Sequence, residues 1–105
     1  MVDAQPVFRA IADPTRRAII SMLAQNEMTV GDVASAFSMT RPAVAKHLAV
    51  LRGAELIRSE KRGRETINQL QPERLKAVSE WLEFYSSFWD DKLLKLKAAV
   101  EGDHD

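Results

Sequence analysis

Apolar residues recur along the first half of the chain at helical intervals. Val7, Phe8 and Ile11 mark a short helix over Gln5–Ala12. Asp13-Pro14 then restarts the chain. An Asp carboxylate accepts from the free amides of a helix start, and Pro suits the first helical position, where its missing N–H has no partner to lose. A second helix is predicted from Pro14 to about Ala24, burying Ile19, Met22 and Leu23. Gln25-Asn26-Glu27 reads as a break. Thr29 to Asp32 has the form of a capping box with Asp in place of Glu. Val30, Val33, Ala34 and Phe37 then share one face of a third helix. Ser38-Met39-Thr40 is a tight connection. Thr40 caps a fourth helix, which tolerates Pro42 in its first turn, runs to about Arg52 and stops at Gly53. At about 100° per residue, Val44, Leu48 and Leu51 of this helix fall together, and Pro42, Ala45, Lys46 and Ala49 fall opposite them.

The period then changes. Leu56–Glu60 and Glu65–Gln69 are short segments around Lys61-Arg62-Gly63-Arg64, and a glycine in such a four-residue connection suits a hairpin turn. From Pro72 to about Val100 the helical period returns. Leu75, Val78, Leu82, Tyr85, Trp89, Leu93, Leu96 and Val100 step by three or four, and Trp81, Phe84 and Phe88 add a second face. A single helix of this length spans roughly 40 Å, against a radius of about 13 Å for a compact domain of this size. One small domain does not cover both faces over that length, so a twofold partner is expected. The residues expected at that interface are Val7, Phe8, Ile11, Trp81, Tyr85, Phe88, Trp89, Leu93 and Leu96.

These elements predict a mainly α protein with a small β-hairpin wing: a winged helix-turn-helix carrying a long C-terminal dimerisation helix. It reads as one domain over residues 1–105, with the helix-turn-helix at about 29–52, the wing at about 56–70 and the last helix at about 72–100. Net charge is zero, but it is unevenly spread. Residues 41–64 hold seven basic and two acidic side chains, while residues 65–105 hold five basic and nine acidic. A basic stretch centred on a helix-turn-helix and its hairpin points to double-stranded DNA as partner. The fourth helix fits a major groove and the hairpin tip a backbone or minor groove. The candidate DNA-contacting residues are Thr40, Arg41, Pro42, Ala45 and Lys46 on the helix and Lys61, Arg62, Gly63 and Arg64 on the wing. Arg41 at the head of the helix suits a guanine or a phosphate, and Ala45 a thymine methyl.

Three stretches resemble the ArsR-type winged-helix repressors: Ala12-Asp13-Pro14-Thr15-Arg16-Arg17-Ala18-Ile19-Ile20, Arg41-Pro42-Ala43-Val44-Ala45-Lys46-His47-Leu48-Ala49-Val50-Leu51, and Gly63-Arg64. The resemblance covers about residues 6–96. It implies a homodimer that represses promoters by occupying an inverted repeat. It also implies base and phosphate contact at Arg41, Pro42, Ala45 and Lys46, and backbone or minor-groove contact at Lys61 to Arg64. The chain departs from the family's metal sensors. There is no cysteine anywhere, including Thr29-Val30-Gly31-Asp32-Val33, and no histidine in the last helix. Position 45 is Ala where the family often carries Ser. The expectation is a regulator with no metal site and no cofactor.

Other chemistry is weakly represented. The chain has two histidines. His47 sits at the core edge of the fourth helix and reads as packed or phosphate-facing, and His104 falls in a polar tail. Asp90-Asp91 reads as solvated surface. No Ser/His/Asp set, phosphate loop or supported carboxylate pair is present, so no enzyme activity is expected. No membrane-spanning run and no secretory leader are legible, which points to the cytoplasm. Two alternatives stay open: a winged-helix module that binds protein rather than DNA, and a sensor holding a small organic ligand near Trp81, Tyr85 and Trp89. No inducer is legible in the residues.

Overall fold

Three of the helices begin at a side chain that satisfies their free amides. In the computed structural model, which describes residues 3–102, the Asp13 carboxylate accepts from Arg16 N at 3.0 Å and starts α2 (Pro14–Gln25). Thr29 Oγ1 accepts from Asp32 N, and Thr29 N donates to Asp32 Oδ2, both at 3.0 Å. That reciprocal pair opens α3 (Val30–Phe37). Thr40 Oγ1 accepts from Ala43 N at 3.3 Å and opens α4 (Arg41–Gly53). The short α1 (Gln5–Ile11) precedes them.

Two of these helices end on a residue other than glycine with positive φ. Ser38 at φ 53° closes α3, with Met39 N bonded back to Ala34 O at 3.0 Å. At the end of α4 the expected stop at Gly53 is corrected. Gly53 lies within the helix, and the left-handed residue is Glu55 at φ 60°. Leu56 N bonds Leu51 O at 3.0 Å and Glu55 N bonds Arg52 O at 2.9 Å. Leu51 and Leu56, both fully buried, provide the apolar contact that accompanies this ending. The chain reverses at Glu55, whose side chain is ion-paired to Arg74.

The core is aliphatic. Ile19, Val33, Val44, Leu48, Leu51, Leu56 and Ile57 are all at most 2% exposed. The predicted inner face of α4 is therefore the observed one. Val7 is 3% exposed inside this same core, which corrects its expected place at a dimer interface: α1 lies on α2 and α4, and the Val7 side chain is consumed there. Ile11 packs half-buried against the core.

The sheet has three antiparallel strands in the order β1-β3-β2: β1 (Met28–Thr29), β2 (Ile57–Arg62) and β3 (Glu65–Leu70). β1 was not anticipated, because two residues cannot carry an alternating pattern and Thr29 also reads as a helix cap. The hairpin register pairs Arg62 with Glu65. The connection is thus the two residues Gly63-Arg64 rather than four, and Lys61 and Arg62 belong to the strand. Gly63 adopts φ 63°, the positive φ that a two-residue hairpin turn needs at its first position. Asn68, 1% exposed, ties the three strands. It accepts from Ser59 Oγ at 2.7 Å and donates through Nδ2 to Met28 O at 3.2 Å.

The single long C-terminal helix is the largest correction. The segment is a 3-10 turn (Pro72–Leu75), α5 (Lys76–Glu83) and α6 (Ser86–Gly102). At the break Tyr85 N bonds Leu82 O, three residues back, at 3.0 Å. Ser86 Oγ donates to Glu83 O at 2.8 Å. A serine hydroxyl that takes a backbone carbonyl is a recognised cause of helix bending. Every residue from 79 to 102 is exposed. The radius of gyration is 19.1 Å and the extents are 69 × 35 × 20 Å, against about 13 Å for a compact chain of this length. α6 projects from the body as an arm.

Candidate nucleic-acid interface

α4 is held by its buried face and offers the other to solvent. Thr40, Arg41, Pro42, Ala45, Lys46 and Ala49 are exposed. The Thr40 hydroxyl is engaged as the helix cap. Arg41 does not reach outward along the helix axis. Its guanidinium lies over Gly31 at the start of α3, where an added Cβ would come within 2.9 Å of Nη2. Gly31, Arg41, Arg64 and Glu65 share a notch of about 230 Å³ between the helix-turn-helix and the hairpin, with Thr29 and Thr66 beside them. The head of α4 and the wing tip are therefore neighbours in space.

On the wing, Lys61, Arg62, Gly63 and Arg64 are all exposed, but they are not equivalent. Arg62 donates to Glu27 at 2.5 and 3.2 Å and to Glu60 at 3.1 Å. Glu27 also accepts from Gln69 Nε2 at 2.7 Å, and Gln69 accepts from Arg58 at 3.0 Å. The Arg62 hydrogen bond, and after it that of Gln69, holds the Glu27 carboxyl below its ordinary range. Glu27, and after it Glu60, pushes the Arg62 guanidinium further up. Arg62 is thus locally neutralised. Sequence reasoning missed this because Glu27 lies 35 residues away in a segment read only as a break.

The Asp13-Pro14-Thr15-Arg16-Arg17 stretch also acquires a structural role that spacing did not reveal. Arg16 donates from Nε to Ala10 O at 2.6 Å and from Nη2 to Arg9 O at 3.0 Å, and Arg17 donates to Ile11 O at 2.8 Å. Together they satisfy the last carbonyls of α1. The amide of Arg16 is the main cause that holds the Asp13 carboxyl low. His47, on the flank of α4, lies 3.5 Å from Arg16 Nη1 and 3.9 Å from Asp13 Oδ2. It is half-buried, the packed one of the two places read for it from the sequence. His104 falls outside the described residues. Asp90 and Asp91 are exposed. Among the described residues, no three His, Cys, Asp or Glu side chains gather, and no helix is long and apolar enough to cross a membrane.

α5, the break after it and the arm carry the remaining candidates. Trp81, Tyr85, Phe88, Trp89, Leu93 and Leu96 are exposed, together with Leu94, which lies off the stripe and was not singled out. Phe8, half-buried, meets Trp81 edge-on at 5.7 Å, and Trp81 meets Tyr85 at 5.3 Å. Around the bend, Trp81, Leu82, Tyr85, Phe88 and Trp89 line an apolar hollow of about 310 Å³.

Comparison with known proteins places this geometry. The family model described as "Bacterial regulatory protein, arsR family" matches residues 13–59. The transcriptional repressor SdpR of Bacillus subtilis is 34% identical over 87 residues, covering 83% of this chain and 97% of that one. The HTH-type transcriptional regulator Rv2034 of Mycobacterium tuberculosis is 35% identical over 98 residues, covering 93% and 89%. Among solved structures, an ArsR-like transcriptional regulator from Rhodococcus sp. RHA1 superposes with a TM-score of 0.73 at 31% identity, covering 92% of this chain and 89% of its own. These relatives are regulators, not enzymes. The chain belongs to the ArsR family of bacterial regulatory proteins and is a winged-helix transcriptional regulator.

Proposed function

We propose that this regulator is a homodimeric repressor that binds an inverted repeat in promoter DNA, its own promoter among the candidates, without a metal. The carrying observation is the shared notch. It sets the head of α4 and the wing tip side by side, an arrangement suited to engaging a major groove and the next backbone together. Thr40, Arg41, Pro42, Ala45 and Lys46, with Lys61, Gly63 and Arg64, form the DNA surface. Dimerisation is supported by the arm. Trp89, Leu93, Leu96 and Val100 step by four, three and four residues along α6 and are each more than half exposed. Burying such a side chain contributes about 1.5–3 kcal/mol, and in a twofold pair every contribution counts twice. Repression follows the similarity to SdpR. Metal independence rests on a chain without cysteine and on His47 engaged beside Arg16 and Asp13.

The test is titration of the protein against DNA from upstream of its own gene at several salt concentrations. With about six phosphates neutralised per dimer, affinity falls roughly 10³-fold between 50 and 200 mM salt, because each neutralised phosphate releases counterions. Absence of any specific complex at low salt overturns the reading. The aromatic hollow at the arm's bend favours one addition, a flat apolar organic inducer. Saturable quenching of tryptophan emission by such compounds would support it.

A further inference from the structure

Arg41 occupies an unusual place for a residue at the head of a recognition helix. Its guanidinium makes no hydrogen bond or ion pair among the described residues and lies over Gly31. A Cβ at residue 31 would oblige that guanidinium to shift. Arg64, the second residue of the hairpin turn, lines the same notch, and Glu65 is the one acid among its lining residues. The notch therefore gathers two cations against one anion at the seam between helix and wing. A duplex with α4 in its major groove and the hairpin at the adjacent minor groove must carry one sugar-phosphate strand across that seam, since a single backbone separates the two grooves.

We propose that Arg41 and Arg64 hold one phosphodiester of that strand between them, with Gly31 as the seat that aims Arg41. Arg41 is then a backbone clamp and not a base reader. Base reading falls to Pro42, Ala45, Lys46 and Ala49. This assignment rests on the DNA-binding reading above and divides the labour within it.

The experiment uses the full chain and the duplex footprinted in its own promoter, with single phosphates replaced by uncharged methylphosphonates. One position in each half-site should weaken wild-type binding about tenfold, the scale of a charge-assisted hydrogen bond. The same replacement should cost Arg41→Ala and Arg64→Ala less than about threefold. Gly31→Ala should weaken binding while leaving the thermal midpoint unchanged or raised, since it displaces only the mobile end of Arg41 and alanine favours the helix. In the Arg41→Ala background it should have no further effect. Two results overturn the clamp while leaving DNA binding in place. In one, Arg41→Ala and Arg64→Ala lose sensitivity at different phosphates. In the other, the Arg41→Ala penalty disappears on DNA carrying 7-deazaguanine, which marks Arg41 as a guanine reader. Failure of the wild type to bind any promoter duplex overturns the DNA-binding reading itself.

Discussion

The winged body and the C-terminal arm are built from similar apolar residues and reach opposite ends. In the body, Ile19, Val33, Val44, Leu48, Leu51 and Leu56 are at most 1% exposed. Four helices, α1 to α4, and a sheet close over them from several sides. In the arm, Phe88, Trp89, Leu93, Leu94 and Leu96 are each more than half exposed, because a lone projecting helix has no second layer to meet. Apolar periodicity marks which face is to be buried. Whether the covering surface comes from the same chain depends on topology, and the bend at Tyr85–Ser86 carries α6 away from the only body available.

The largest effect that would break this contrast is in the arm. Leu93→Glu places a charge twice in a twofold interface and should raise the dimer dissociation constant by about 10²–10⁴, from about 1.5–3 kcal/mol lost at each copy. Sedimentation equilibrium reads it, and an unchanged dimer would remove the arm from the interface. In the body, Leu51→Ala should cost about 2–5 kcal/mol of folding stability through the cavity it leaves, measured by denaturant unfolding. A loss under about 1 kcal/mol would mean that the core can collapse around the site.

Two smaller effects sharpen the picture of the wing and of the helix caps. Arg64→Ala should lower the slope of log affinity against log salt by about one, whereas Arg62→Ala should change it by less than about 0.3, its charge being already matched by Glu27 and Glu60. Equal changes would show that Arg62 leaves Glu27 for phosphate. The carboxyls of Asp13, Glu27 and Asp32 are all held below their ordinary values by hydrogen bonds in the folded chain. Groups of this kind contribute stability that is fully present above the unfolded-state values, near pH 4, and lost as pH falls through the lowered folded ones. On account of these three groups, unfolding midpoints should therefore change little with pH around neutrality and decline below about pH 4. Replacing all three with Asn or Gln should make that acid decline shallower, and an unaltered decline would assign it to other groups.

What was legible in the sequence is what local chemistry decides. Asp13, Thr29 and Thr40 cap the helices they were expected to cap, and the Val44-Leu48-Leu51 face of α4 needs only the helical period. What was not legible depends on partners distant in the chain or on competing local bonds. β1 exists only because Met28 pairs with Asn68. Arg62 loses its freedom to Glu27, across the sheet. Gly53 has the composition of a helix stop, yet the reversal comes two residues later at Glu55, where Leu56 N bonds back to Leu51 O. The stripe from Leu82 through Tyr85 to Trp89 keeps helical spacing across a break made by the Ser86 hydroxyl. Arg41 reads equally well as a guanine or a phosphate contact, and nothing in its spacing shows that its guanidinium lies over Gly31.

The central claim is that the arm pairs two winged bodies so that together they occupy one operator. Light scattering on the complex with the footprinted promoter duplex, at protein concentrations spanning the binding transition, tests this most directly. The account predicts two chains per duplex, formed in a single step, with no complex of one chain at any point in the titration. A one-chain complex of comparable affinity would contradict it.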